Sequence, residues 1–116
     1  MSAELNEEAL ADQLTERFYT EHGEELAVFG DRGRKHTKQD LMHHLNYLKN
    51  AYLLKNEQIF IDYALWLHQV LVTRDVPGEM LTLSFQWIDE ELEQYQKNER
   101  FDFYQKCLQL AIAELT

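Results

Sequence analysis

The sequence predicts an all-α protein, and three observations support that prediction. Glycine and proline are scarce, at four and one in 116 residues. Leu, Glu, Gln and Ala, which favour helices, recur throughout the chain. No stretch alternates between apolar and polar residues for long enough to indicate a strand. We therefore expect one domain over residues 1–116, built as a compact antiparallel bundle of about five helices, although the same pattern also allows a globin-like arrangement.

The first predicted helix runs from about Leu5 to His22, with Asn6 or Ser2 as its cap. Gly23 ends this helix, because glycine favours non-helical backbone. The helix has one apolar face, since its apolar residues recur at a spacing near 3.6. That face includes Leu10, Leu14 and Phe18.

The second predicted helix follows a loop, which we expect to run from Gly30 to His36. Thr37 is a favourable N-cap, and Asp40 three residues later resembles a capping box with Asp in place of Glu. The helix itself is predicted from Lys38 to about Lys55. Its main apolar stripe is Leu41, Leu45, Leu48 and Tyr52.

Three further helices are predicted, Glu57–Arg74, Pro77–Gln96 and Glu99–Leu115, with short breaks at Asn56 and Asn98. Proline is tolerated in the first turn of a helix, where its missing N–H needs no partner. Their apolar positions include Phe60, Tyr63, Trp66 and Leu67, then Leu81, Phe85, Ile88 and Leu92, then Phe101, Tyr104, Leu108 and Ala111.

The charge and the single cysteine limit the classes of function. Twenty-one acidic against eleven basic residues give a net charge of −10, which argues against nucleic-acid binding and against adhesion to an anionic membrane. No apolar run approaches the roughly 18 residues that a membrane span needs. The first residues do not resemble a secretory signal, and Cys107 has no second cysteine to pair with, so we expect a cytoplasmic location.

The basic segment Arg32–Lys38 is the strongest candidate site in the sequence. Arg32, Arg34, Lys35 and Lys38 fall within seven residues that contain no acidic residue. At the start of a helix such cations favour an anion or an acidic partner. The Walker pattern is absent, so a nucleoside triphosphate is not expected. The simpler interpretation is that these side chains pair with the acidic first and fourth helices.

No residue set in the sequence indicates an enzyme, a metal site or a bound cofactor. His43 and His44 are adjacent on a helix, so their side chains diverge by about 100° and do not readily share a metal. Cys107 has no histidine near it in the sequence, and the paired carboxylates lie on outer helix faces. We therefore predict no catalytic and no metal-binding residues.

A ligand-sensing bundle is the alternative function. An aromatic run near two histidines could line a pocket for a flat cofactor, such as haem or another tetrapyrrole. Residues at helical spacing more often form the core, and that is the simpler interpretation here. The residues concerned are His44, Tyr47, Tyr63, Trp66 and His68.

The chain also resembles a small helical module of bacterial sensory and regulatory proteins, found beside cobalamin-binding domains. The resemblance spans roughly residues 10 to 95 and implies a non-catalytic signalling or ligand-sensing module. Residues 1–116 lack the Asp-x-His-x-x-Gly motif that ligates cobalamin, so cobalamin binding is not expected, and we expect the module to stand without an attached cobalamin-binding, kinase or DNA-binding domain. The resemblance rests on Phe29-Gly30-Asp31-Arg32-Gly33-Arg34, Thr37-x-x-Asp40, His43-His44-Leu45-x-Tyr47-Leu48, Phe60-x-x-Tyr63-x-x-Trp66 and Val76-Pro77.

These observations favour a non-enzymatic regulatory or sensory module that acts through protein contacts. The expected surfaces are the basic segment Arg32–Lys38 and the acidic segment Asp89–Glu93. Patches of opposite sign on one chain also permit self-association, most often as a two-fold dimer.

Overall fold

The computed structural model describes residues 5–116, and every regular element in that range is helical. Five helices are long, and one short helix and a 3-10 turn lie between the first two of them. The prediction of an all-α chain with about five helices is therefore confirmed. The elements are α1 (Glu7–Glu21), α2 (Gly23–Leu26), the 3-10 turn (Ala27–Phe29), α3 (Gly30–Leu53), α4 (Glu57–Thr73), α5 (Gly78–Leu92) and α6 (Glu99–Leu115).

The elements group into two compact units, the first ending at Asn46 and the second spanning Tyr47–Thr116. Helix α3 runs through the boundary. In the second unit α6 packs against both α4 and α5. Gln105 of α6 donates to Glu93 at 2.8 Å, and Gln109, one turn later, donates to Asp89 at 3.4 Å. Because the partner numbers fall as the α6 numbers rise, α5 and α6 are antiparallel.

Three helices begin at an asparagine cap. Asn6, Asn56 and Asn98 each accept a hydrogen bond at their side-chain oxygen from a backbone N–H in the following turn, at 2.9, 3.0 and 2.8 Å. These bonds satisfy N–H groups that have no partner within the helix. The predicted breaks at Asn56 and Asn98 are confirmed, as is Asn6 at the first helix, whereas Ser2 lies outside the described residues.

The predicted loop Gly30–His36 is helical, which corrects the sequence-based expectation. Helix α3 already begins at Gly30, whose φ of +63° suits glycine where the chain leaves the 3-10 turn. Thr37 is therefore not an N-cap. It lies inside α3, and its hydroxyl donates to the carbonyl of Gly33 at 2.9 Å.

The second glycine of the predicted loop, Gly33, lets the backbone of α3 approach two side chains closely. A Cβ at position 33 would lie 2.6 Å from Cβ of Phe29 and 2.7 Å from the hydroxyl of Tyr19. Atoms in proteins do not approach that closely, so only glycine fits there without a shift. Gly33 therefore marks a packing contact inside a helix, whereas the sequence pattern suggested a flexible loop.

Helix α5 is shorter than predicted at both ends. Pro77 stands at the N-cap position, and the helix begins at Gly78. It ends at Leu92, four residues before the predicted Gln96, and the chain continues in turns. The acidic segment Asp89–Glu93 lies at this C-terminal end, where the helix dipole disfavours negative charge.

The core of the second unit is aromatic. Phe60 of α4 lies 5.2 Å from Phe85 of α5 between ring centroids, and both side chains are fully buried. Phe101 and Tyr104 of α6 are buried as predicted. Trp66, which the sequence pattern placed on the inner face of α4, is 60% exposed and does not belong to this core.

Candidate functional site

Two of the four predicted cations are held by ion pairs to α1. Lys38 lies 2.9 Å from Asp12 and 3.2 Å from Glu8, measured between nitrogen and oxygen atoms. Arg34, one turn before Lys38 on α3, donates to Glu16. The hydrogen bonds that Lys38 donates to Asp12 and Glu8 raise the pKa of Lys38 above its ordinary value. For these two side chains the simpler interpretation, pairing with the acidic first helix, describes the structure.

Arg34 has a second neighbour in α1. Its guanidinium lies 4.6 Å from the ring centroid of Tyr19, a cation–π distance. The hydroxyl of Tyr19 is itself buried and has no hydrogen-bond partner within residues 5–116. The α1–α3 contact thus combines ion pairs, a ring contact and an unsatisfied hydroxyl next to Gly33.

The other two predicted cations, Arg32 and Lys35, are exposed and make no ion pair with any described residue. His36 and His43 are also exposed, and helical spacing places them on the same side of α3 as Arg32. Within residues 5–116 this outer side of α3 is not neutralised, because the acidic residues of α1 pair with Arg34 and Lys38 on another side of the helix.

The acidic segment of α5 is bound to α6. The side-chain amide of Gln105 donates to Asp89 at 2.9 Å and to Glu93 at 2.8 Å. A neutral amide satisfies the carboxylate oxygens without cancelling their charge. Gln105 therefore holds Asp89 and Glu93 against α6 without neutralising either carboxylate.

The predicted ligand residues do not form one open pocket in the second unit. The rings of Tyr47 and Tyr63 stack on each other with centroids 3.9 Å apart and planes 12° from parallel. That spacing leaves no gap for a flat ligand between the two rings. Trp66 is mostly exposed, and the Nε2 atom of His68 lies 2.6 Å from the point where a Cβ on Gly78 would stand. His68 therefore packs against the start of α5, where only glycine leaves room for its ring.

His44 belongs to the first unit and is 2% exposed. Burial, reinforced by the charge of His43, lowers the pKa of His44 to about 3. Its imidazole is therefore neutral over the physiological range of pH.

Cys107 is buried in α6, and burial raises the pKa of its thiol to about 12, with a further contribution from Glu57. A protonated, buried thiol is a poor nucleophile. Within residues 5–116, no group of three or more His, Cys, Asp or Glu side chains is arranged to hold a metal ion.

The apolar outer face of α4 is a feature that the sequence analysis missed. We define the α4 face as Asp62, Leu65, Trp66, Gln69 and Val72, which are all exposed and lie on one side of the helix. Its three apolar members are 39%, 60% and 50% exposed. A signal was present in the sequence, because residues 63–73 contain no Asp, Glu, Lys or Arg. A helix that is apolar on all sides is usually covered on all sides.

No protein-family model, curated protein or solved structure matches this chain. The helices found in residues 5–116 fall short of the length and apolarity that crossing a membrane requires.

Proposed function

We propose that this chain is a non-enzymatic helical module of a regulatory or sensory kind, which acts by binding protein at the α4 face. The observation that carries the proposal is Trp66, a large aromatic side chain left 60% exposed near the middle of a helix. Tryptophan is among the residues that contribute most to protein–protein binding, and clustered exposed apolar side chains mark such surfaces.

The surroundings of Trp66 support this proposal. Leu65 and Val72 extend the exposed apolar surface along α4. The opposite side of the helix carries the buried Phe60 and Leu67, so the scaffold that presents Trp66 is fixed by its own core. A rigid scaffold with an apolar outer face loses little conformational freedom on binding.

The charge distribution favours a protein partner over nucleic acid. Arg34 and Lys38 are engaged with α1, so Arg32 and Lys35 are the cations of the basic segment left for an outside partner. Two cations that make no ion pair within residues 5–116, on a chain of net charge −10, give little attraction for phosphate backbones. A cytoplasmic location fits the same proposal, because Cys107 is a free and buried cysteine.

Photo-cross-linking in the native cells tests the proposal. A benzoyl-phenylalanine residue replaces Trp66 in one variant and Gln86, an exposed polar residue of α5, in a control variant. We expect irradiation to produce a discrete protein adduct from position 66 and none from position 86, with the partner identified by mass spectrometry. An equal yield from both positions, or no adduct from position 66, would contradict the proposal.

A further inference from the structure

Gln69 lies between the exposed apolar residues of the α4 face. Leu65 and Trp66 stand on one side of Gln69, and Val72 stands on the other. Trp66 and Val72 are each three residues from Gln69, or about 4.5 Å along the helix. A two-fold axis that runs between two antiparallel copies of α4, beside Gln69 and perpendicular to both helices, therefore brings Trp66 of each copy to the level of Val72 of the other.

We infer that the α4 face binds the α4 face of a second copy of this chain, with the two helices antiparallel about an axis beside Gln69. This inference rests on the proposed function and names the partner. Leu65 of each copy packs against Val72 of the other, and Gln69 meets its own symmetry mate. Trp66 packs beside Thr73 of the other copy, on the other side of the seam. Such an interface is closed, so association stops at the dimer.

Among the helix surfaces described, the α4 face is the one where a second copy meets the least charge repulsion. Two chains of net charge −10 repel one another, and that repulsion is strongest where acidic residues meet. Residues 63–73 carry no Asp, Glu, Lys or Arg. A self-complementary interface brings each residue close to its own copy, so an uncharged face is what self-pairing requires.

The same argument selects the antiparallel orientation. Asp62 is the charged member of the α4 face. In an antiparallel pair it lies seven residues from the axis, so the two Asp62 carboxylates stand about 20 Å apart along the helices, beyond the Debye length of about 10 Å at 0.1 M salt. In a parallel pair the two carboxylates would face each other directly.

The size of the face sets the expected strength. Trp66, Leu65 and Val72 are partly exposed, and together with their polar neighbours they offer several hundred Å² of surface for burial in each copy, roughly the low end for specific interfaces. We therefore expect a weak dimer that forms in the micromolar range.

Sedimentation equilibrium of the full chain tests the inference. The expected result is a mass that rises from monomer to dimer as the concentration rises from about 1 μM to about 500 μM, the range in which such an interface saturates. Trp66→Glu should hold the chain as a monomer throughout. Val28→Glu makes the same change at a side chain that is 82% exposed outside the α4 face, and it should leave the dimer unchanged.

Engineered cysteines test the orientation. In an antiparallel pair the facing Cα atoms at position 69 come within disulfide range, so Gln69→Cys should form a covalent dimer under mild oxidation. Asp62→Cys should not, because its symmetry mate is too far away. Efficient cross-linking of Asp62→Cys, or none of Gln69→Cys, would overturn the antiparallel arrangement; the natural chain, with its buried Cys107, is the control.

The outcomes separate this inference from the proposed function. A wild-type chain that stays monomeric up to 500 μM, or a dimer that Trp66→Glu leaves intact, overturns the inference. If such a chain still gives an adduct with another protein from position 66, the proposed function stands and its partner is not a second copy. If position 66 gives no adduct of either kind, both are overturned.

Discussion

The outer side of α3 in the first unit and the outer face of α4 in the second unit differ in what they leave for a partner. The sequence drew attention to α3 because it is basic, yet Arg34 and Lys38 are paired with α1. It assigned α4 to the core because it is apolar, yet Trp66 is exposed. In a chain with an excess of acidic residues, cations readily find acidic partners within the same chain. An apolar side of a helix, in contrast, is buried only where another element packs against it, and most of Trp66 has no such cover.

The largest expected effect is a difference in the free energy of unfolding between substitutions on the two sides of α4. Phe60→Ala removes a fully buried ring and should lower the free energy of unfolding by about 3–5 kcal/mol. Trp66→Ala removes a larger side chain from the exposed side and should change it by less than about 0.5 kcal/mol. Urea unfolding of dilute protein measures both. A large loss of stability in Trp66→Ala would show that the indole belongs to the core after all.

The next effect tests the close contact within the first unit. Gly33→Ala places a Cβ within 3 Å of both Phe29 and Tyr19, so it should lower the free energy of unfolding by up to about 3 kcal/mol. Gly23→Ala meets no atom within 4 Å and is the matched control, expected to be neutral or slightly stabilising. If the two variants unfold at the same urea concentration, the contact at Gly33 is not as described.

The third effect concerns pH. Because the pKa of His44 is about 3 in the folded chain and about 6.5 in the unfolded chain, the unfolded state binds the proton first as the pH falls. His44 therefore leaves stability unaffected well above pH 6.5 and lowers it progressively below that, toward pH 3. Between pH 7.5 and 5 the loss should be about 2 kcal/mol.

Replacing the histidines separates this contribution from that of the carboxylates. His44→Gln should remove the loss between pH 7.5 and 5, as measured by urea unfolding at each pH. His43→Gln, at an exposed neighbour, should keep it. An unchanged pH slope in His44→Gln would contradict the buried, neutral imidazole.

The smallest effect concerns the unsatisfied hydroxyl of Tyr19. Tyr19→Phe removes a buried group without a partner in the described chain and should raise the free energy of unfolding by about 1 kcal/mol. The double variant with Gly33→Ala should lose less than the sum of the single changes, because one of the two close contacts of the new Cβ is with that hydroxyl. Strict additivity would contradict the proximity of the two residues.

Much of the fold was predictable from local signals. The asparagine caps, the scarcity of glycine and the apolar spacing located the helices, since these features act within a few residues. The start of α3 was not predictable in this way. Gly30 and Gly33 look like loop residues, but one serves the exit from a 3-10 turn and the other a contact with Tyr19, which is 14 residues away in the chain.

The candidate site was harder to predict, because exposure depends on tertiary packing. Tyr63 and Trp66 are both aromatic and three residues apart on α4, yet the first is 7% exposed and the second 60%. Tyr47 packs on Tyr63 and not on Trp66. The absence of charge in residues 63–73 was visible in the sequence, but it does not say which side of the helix lacks a neighbour.

The most direct test of the central claim, that α4 and not α3 is the contact surface, is the sedimentation mass of two variants at about 500 μM and at two salt concentrations. We predict that Arg32→Glu with Lys35→Glu retains the wild-type mass and that Trp66→Glu is monomeric, with no loss of the wild-type dimer at high salt. A dimer that survives in Trp66→Glu, but dissociates in high salt and in the charge-reversed α3 variant, would contradict the account.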